Sequence, residues 1–243
     1  MKLADLIHPR HLDPAATAVV RATIAGDRHR TAVIDGWLTP ALHDGLLACF
    51  NGDAQFRPHH GLKQAGEEDS PGFEEHAVDA DAFAAAPPSR RLARELVLDE
   101  AASAGLTTPG WLAHRRFMRM LVGDAFQAWL SAVSGEGPLD DVSYLARTMR
   151  HGDMCRAHSD AGDARRLCVL LYLGDGWRPA FGGRFQQLDG PMVDRSIAPL
   201  GNRAILHVPA RECIHQVEPL TDTARGWRRH SYSLWFGAGP AGS

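Results

Sequence analysis

From residue 143 onward the chain breaks into short runs rich in β-forming residues, each closed by Gly, Pro or Asp. They are "SYLARTM", "CRAHSD", "LCVLLYL", "GRFQQL", "RAILHV", "CIHQVEPL" and "RHSYSLWF". Segments this short and this often punctuated read as strands joined by turns, and so many in series predict an antiparallel sandwich or barrel. The preceding stretch reads mostly as helix, so the fold class expected is α+β. The 243 residues are taken as a single domain, with 1–140 as N-terminal helical support and lid region and 141–243 as the core.

Within the first part, "TAVIDGWLTPALHDGLLACF" predicts a strand over 32–34, a turn at Asp35-Gly36, and a helix with Thr39 as N-cap and Pro40 as first residue. Leu42, Leu46, Leu47 and Phe50 form its apolar stripe. Residues 51–88 keep no period and read as a long loop or lid. A second helix is expected over 89–104, ended by Gly105. A third is expected over 111–133, where Met118, Val122, Ala125, Trp129 and Val133 recur at helical spacing.

Composition narrows the function classes. A net charge of −3 and basic clusters no longer than "HRRFMR" and "RGWRR" argue against nucleic-acid recognition. Cys49, Cys155, Cys168 and Cys213 form no CxxC pair and read as reduced thiols. Asp5, His8 and Pro9 break the N-terminal apolar pattern, and no run has the length of a membrane span, so a soluble cytoplasmic protein with no membrane partner is expected.

The chemistry is carried by polar residues inside the strand-like runs. On an extended segment side chains i and i+2 share a face, so His158 and Asp160 of "HSD" can hold one ligand while Ser159 turns away. Alone, a His-x-Asp pair is most often a turn or a surface coincidence. His215 in "ECIHQVEPL" supplies a third candidate. Two imidazoles and one carboxylate leave positions open on an ion, the arrangement associated with non-haem Fe(II) oxygenases. A structural zinc would more naturally recruit thiolates, for which Cys155 and Cys213 are the nearby candidates. In "RRHSYSLWF", alternation sets Arg229, Ser231, Ser233 and Trp235 on one face, with His230, Tyr232, Leu234 and Phe236 on the other. An arginine flanked by serines suits a carboxylate clamp. A solvated strand face explains the same pattern equally well, and Arg228, of opposite parity, is the competing clamp.

In this order the residues resemble the Fe(II)- and 2-oxoglutarate-dependent dioxygenases, in particular the prolyl-hydroxylase-like branch. The matching pieces are "HSD", "LLYL", Trp177, "GGRF", "PLGNRAILHV", "IHQVEPL" and "RHSYSLWF", spread over about ninety residues, and "TAVIDGWLTPALHDGLL" is similar to the entry strand and helix of such cores. The resemblance implies a double-stranded β-helix (jelly-roll, cupin-like) core, with His158, Asp160 and His215 holding Fe(II). It also implies Arg229 on the distal carboxylate of 2-oxoglutarate, with Ser233 and Tyr172 as supporting hydroxyls and Ser231 as a further supporter. Close relatives often carry a tyrosine about ten positions before the first metal histidine; here that position is Thr148, and Tyr144 lies four residues earlier.

The implied activity is hydroxylation of an unactivated C–H bond with dioxygen as oxidant, release of succinate and CO2, and ascorbate as a stimulant. A small-molecule substrate, a free amino acid or related metabolite, is the first expectation, because no appended binding module is evident. Hydroxylation of a prolyl or other residue in a protein is the alternative. A reading of another class is a non-catalytic β-helix that binds a ligand or partner. The lid region 51–88 and the arginines 115, 116 and 119 are candidate recognition groups, although those arginines read as a solvated helix face at least as well.

Overall fold

The computed structural model describes residues 2–64, 75–162, 164–210 and 212–239, with the backbone alone at Asp53. Helix α1 (Pro14–Gly26) starts at Asp13, whose carboxylate accepts from the Ala15 amide at 2.7 Å. Strand β1 (Thr31–Asp35) and helix α2 (Pro40–Ala48) follow as expected from the sequence. Thr39 sits at the N-cap position of α2 without a capping bond, and its hydroxyl donates instead to the Asp5 carbonyl at 3.3 Å.

The region read as a lid contains structure. Strand β2 (Phe56–Lys63) pairs with β3 (Glu75–Val78), and helix α3 (Ala80–Ala85) follows; residues 65–74 of the expected lid lie outside the described residues. The helix expected over 89–104 is instead strand β4 (Arg91–Leu98) and a single turn, α4 (Glu100–Ser103). Its residues, "RLARELVL", are good helix formers, but pairing with β2 along its whole length overrides that preference. The long helix over 111–133 is two, α5 (Pro109–Leu121) and α6 (Asp124–Ser134), broken where Val122 caps the first and Gly123 precedes the second. Val122, placed in the apolar stripe by its spacing, is therefore 59% exposed.

The remaining strands are β5 (Asp141–Met149), β6 (Met154–His158), β7 (Arg165–Tyr172), β8 (Phe185–Asp189), β9 (Met192–Ile197), β10 (Arg203–His207), β11 (His215–Val217) and β12 (Arg229–Gly237). Twelve strands among the described residues form one antiparallel sheet in the order β1-β10-β7-β12-β5-β4-β6-β11-β8-β9, with β2 and β3 added at β4. Strand β4 pairs with β5 through Leu96 and Val97 and with β6 through Ala93 and Arg94, so the sheet turns a corner there and curls into a half-barrel. The strands of residues 1–140 are thus part of the sheet, and that region is not helical support alone.

Alternation gives the sheet two unlike faces. Outward-facing Leu167, Val169, Leu171, Ala204, Leu206, Tyr232, Leu234 and Phe236 join Leu46, Phe117, Phe126 and Leu130 of the helices in the main core. Each fully buried Leu or Phe contributes roughly 1.5–3 kcal/mol. The inward face carries a smaller cluster, Tyr172, Phe185, Ile197 and Ile205, next to a series of polar side chains. All four cysteines are buried.

Candidate metal centre and cosubstrate pocket

His158 ends β6 and His215 opens β11, and the two are direct partners in the antiparallel register. Pairing therefore sets their rings side by side, with centroids 4.3 Å apart. Each ring is oriented by its Nδ1–H, which donates to the Arg156 carbonyl at 2.7 Å in His158 and to the Cys213 carbonyl at 3.3 Å in His215. Since a carbonyl only accepts, Nδ1 carries a proton in both rings and Nε2 is the atom that faces inward. Asp160 leaves the strand beside them, its loop held by Ser159, whose hydroxyl donates to the Ala210 carbonyl at 2.8 Å and accepts from the Ala161 amide at 3.0 Å. Asp160 Oδ2 lies 3.4 Å from His215 Nε2, and Oδ1 lies 3.9 Å from His158 Nε2. One donor atom from each of the three falls within 4.8 Å of the others.

The electrostatics suit a cation. Burial would raise the Asp160 carboxyl, but the imidazoles of His215, His207 and His158 outweigh it and hold it well below the usual carboxylate range. Burial and the neighbouring His158 push His215 down to about 4. At His158 burial acts in the same direction but is outweighed by Cys155, Asp160 and the Arg156 carbonyl, so the group rises to about 9. Two buried imidazoles beside one carboxylate, Nε2 atoms convergent and Nδ1 atoms occupied, are a donor set that fits Fe(II).

Arg229 is buried on the inner face of β12, where its Nε donates to the Gly183 carbonyl at 2.9 Å and its Nη2 to the Tyr172 hydroxyl at 3.1 Å. Its Nη1 lies 3.5 Å from Ser231 Oγ. Among the described residues no carboxylate pairs with this guanidinium. Ser233, two residues further along the same face, lines the space shared by Arg229 and the triad. The "GGRF" run has a physical reason here. Gly182 has φ +69° and a Cβ there would stand 2.3 Å from the Pro219 carbonyl oxygen, while Gly183, with φ +75°, turns its own carbonyl onto Arg229. Burial lifts the Tyr172 hydroxyl despite the opposing pull of Arg229, so it stays a neutral partner.

Thr148 does not take the place of the absent tyrosine. Register pairs it with His230, on the helix-facing side, and Tyr144 lies on that side too, donating to Glu100. The β5 residues that face the site include Met149, whose sulfur is 3.6 Å from Arg229 Nη1, Arg147 and Leu145. Arg147 forms a buried pair with Glu95 of β4 at 3.2 Å, with burial holding the Glu95 carboxyl up against the opposing influence of Arg147. Glu95 and Arg147 line a cleft of about 650 Å³ that opens beside the triad, bounded also by Glu75, Arg165 and Trp235. The guanidinium of Arg165 sits over Trp235, 4.9 Å from the ring centroid. Arg115, Arg116 and Arg119 are exposed on α5 and do not reach this cleft. Neither cysteine weighed for a zinc site joins the triad: Cys213 Sγ faces the His29 carbonyl, and Cys155 Sγ lies 3.8 Å from the Nδ1 side of His158.

Comparison with known proteins agrees with this arrangement. A profile of the 2OG-Fe(II) oxygenase superfamily matches residues 143–237, which include the triad and Arg229. Residues 143–237 are a 2OG-Fe(II) oxygenase domain. The domain's cofactors are accordingly Fe(II) and 2-oxoglutarate, with dioxygen as cosubstrate. Prolyl 3-hydroxylase OGFOD1 of Mus musculus is 26% identical over 129 residues, 51% of this chain and 23% of its own length. The chain thus spans about a quarter of that relative. A Pseudomonas putida prolyl-4-hydroxylase structure superposes with TM-score 0.57 at 20% identity, over 92% of this chain and 100% of the other. A prolyl hydroxylase of Trichoplax adhaerens, solved with a hypoxia inducible factor peptide fragment, gives TM-score 0.61 at 14% identity over 94% and 92%. At such identities the superpositions establish the fold, a double-stranded β-helix with supporting helices. No helix among the described residues is long and apolar enough to cross a membrane.

Proposed function

We propose that this oxygenase domain hydroxylates a prolyl residue presented in a protein or peptide. The observation that carries the reading is the buried, carboxylate-free Arg229 on the same inner face as the convergent His158, Asp160 and His215. His158, Asp160 and His215 would hold Fe(II), and Arg229, supported by Tyr172, Ser231 and Ser233, would take the distal carboxylate of 2-oxoglutarate. When bound, iron and 2-oxoglutarate would supply the oxidising chemistry, consuming dioxygen and releasing succinate and CO2 as the substrate gains a hydroxyl. The protein's own work is orientation. The backbone acceptors on both Nδ1 atoms fix the imidazoles, Gly183 and Tyr172 fix the guanidinium fork, and the apolar wall of Leu170 and Phe185 limits water in between.

The substrate class is drawn from two supports. Relatives with a named substrate are prolyl hydroxylases, one of them solved with a peptide bound. The 650 Å³ cleft also exceeds what a free amino acid would fill, and its walls carry the Glu95–Arg147 pair and the Trp235 ring, contacts that a longer chain could reach together. The free amino acid first expected from the sequence thus gives way to the protein alternative. Incubation with Fe(II), 2-oxoglutarate and ascorbate against a proline-containing peptide library, beside free proline and other amino acids, tests the choice. Succinate release coupled to a peptide mass gain of one oxygen on proline is expected; turnover with free amino acids alone would overturn it.

A further inference from the structure

Behind the proposed iron ligands lies a second set of donors that shares one of them. Cys168 and His207 are direct partners across β7 and β10, both on the inner face and each about 1% exposed. His207 Nε2 stands 3.4 Å from Asp160 Oδ2, and donor atoms of Asp160, Cys168 and His207 all fall within 4.8 Å of one another. Two ligands held tetrahedrally at zinc bond lengths lie about 3.3–3.8 Å apart, so the His207–Asp160 separation already matches. His207 Nε2 is buried and meets Asp160 Oδ2 at ion-pair distance without the alignment of a hydrogen bond. A buried imidazole nitrogen aimed at a carboxylate and next to a thiol places three ligating atom types at one point.

We propose that Asp160, Cys168 and His207 form a second cation position, selective for a thiophilic divalent ion such as Zn2+, that competes with the first triad for Asp160. Oδ2 lies equally far from His207 Nε2 and His215 Nε2, so a small rotation of one side chain passes the carboxylate from one set to the other. The thiol proton leaves to solvent as the ion binds, and water completes the coordination. The soft sulfur sets the selectivity: the first triad offers only nitrogen and oxygen, whereas the second adds a thiolate. Zinc bound there would withdraw the carboxylate from His158 and His215 and so suppress iron binding, which makes the site inhibitory.

Metal-free protein titrated with Co2+, a spectroscopic stand-in for zinc, tests this without turnover. In a His158→Ala/His215→Ala variant, which disables the first triad, one Co2+ per chain should still bind with a thiolate-to-cobalt charge-transfer band. Zn2+ should displace it, and adding Cys168→Ser should erase the band while adding Cys155→Ser should not. No band in the double variant, or a band that survives Cys168→Ser, overturns the proposal. Should the double variant fail to fold, the intact chain decides: Cys168→Ser should weaken Zn2+ binding at least tenfold and leave Mn2+ affinity unchanged, and equal Zn2+ affinity refutes the site. Loss of Mn2+ binding in the intact chain would instead count against the first triad, so the two assignments fail separately.

Discussion

Single side chains carry the candidate site: His158 ends β6, Asp160 follows just beyond it, and Arg229 shares the inner face of β12 with Ser231 and Ser233. Alternation along β12 anticipated that shared face, whereas the roles of these residues came from the family resemblance. Direct ligands matter at least as much as the residues that orient them, so Asp160→Ala or His215→Ala should lower succinate release by at least about 100-fold with an unchanged far-UV circular dichroism spectrum. Wild-type turnover in either would remove the ligand assignment. Arg229→Ala deletes a buried charged donor and should raise the 2-oxoglutarate KM by roughly 30-fold to 5000-fold, equivalent to about 2–5 kcal/mol, whereas Arg228→Ala should leave it near the wild-type value. The reverse ranking would move the clamp by one residue. His230, on the helix-facing side of β12, offers a stability test. Its Nε2 meets Asn51 at 3.0 Å, its Nδ1 has no partner among the described residues, and burial with Arg228 nearby pushes it down to about 4. Because its folded value is depressed, the unfolded chain takes up the proton first. Stability is intact above about 6.5 and is lost as pH falls toward about 4, by up to about 3 kcal/mol. Urea midpoints at pH 7.5 and 4.5 should drop further for wild type than for His230→Gln; equal drops would show that His230 is not the titrating group.

At the scale of elements, misreadings arose where local preference and tertiary pairing disagree. "RLARELVL" has helix-forming composition, yet it is β4, the corner strand that joins β2, β5 and β6. The polar strand β9 was missed because it is an exposed edge hairpin with almost no alternation to detect, Met192 being 69% exposed. Those errors concealed Glu95, because an acid on a helix is expected to face solvent, whereas on β4 it points inward and is 2% exposed. The Glu95–Arg147 pair now ties β4 to β5 across the corner. Removing one partner strands a buried charge, so Glu95→Leu and Arg147→Met should each destabilise by about 3–5 kcal/mol, while the double variant should recover most of the loss. Urea denaturation of the four proteins gives the coupling directly. Additive losses would mean that the two groups are solvated independently and that the corner is held by backbone pairing alone.

The whole molecule follows from which strands neighbour which, and that is the part least legible in the chain. The run of β-rich segments after residue 143 predicted an antiparallel sandwich or barrel, and the family resemblance a double-stranded β-helix, but nothing local shows that β1 pairs with β10 or that β4 closes the corner. Those contacts join residues between 60 and 176 positions apart, and their register is set by side chains on both partners at once. The consequence is that 141–243 should not fold as a separate unit. Cutting the chain at 140 would strip β4 from β5 and β6, strip β1 from β10, and expose Tyr232, Leu234, Phe236, Leu167, Val169 and Leu171, all of them fully buried against the helices. At roughly 1.5–3 kcal/mol each, the loss of these six contacts is comparable to the whole stability of an ordinary domain, about 5–15 kcal/mol. Expressed alone, 141–243 should be aggregated or lack a cooperative thermal transition and should bind no Mn2+, whereas the full chain should melt cooperatively at a temperature that rises with added Mn2+. A cooperative transition in the fragment, raised in the same way by Mn2+, would show that the matched segment is self-sufficient and that β1 and β4 only decorate it.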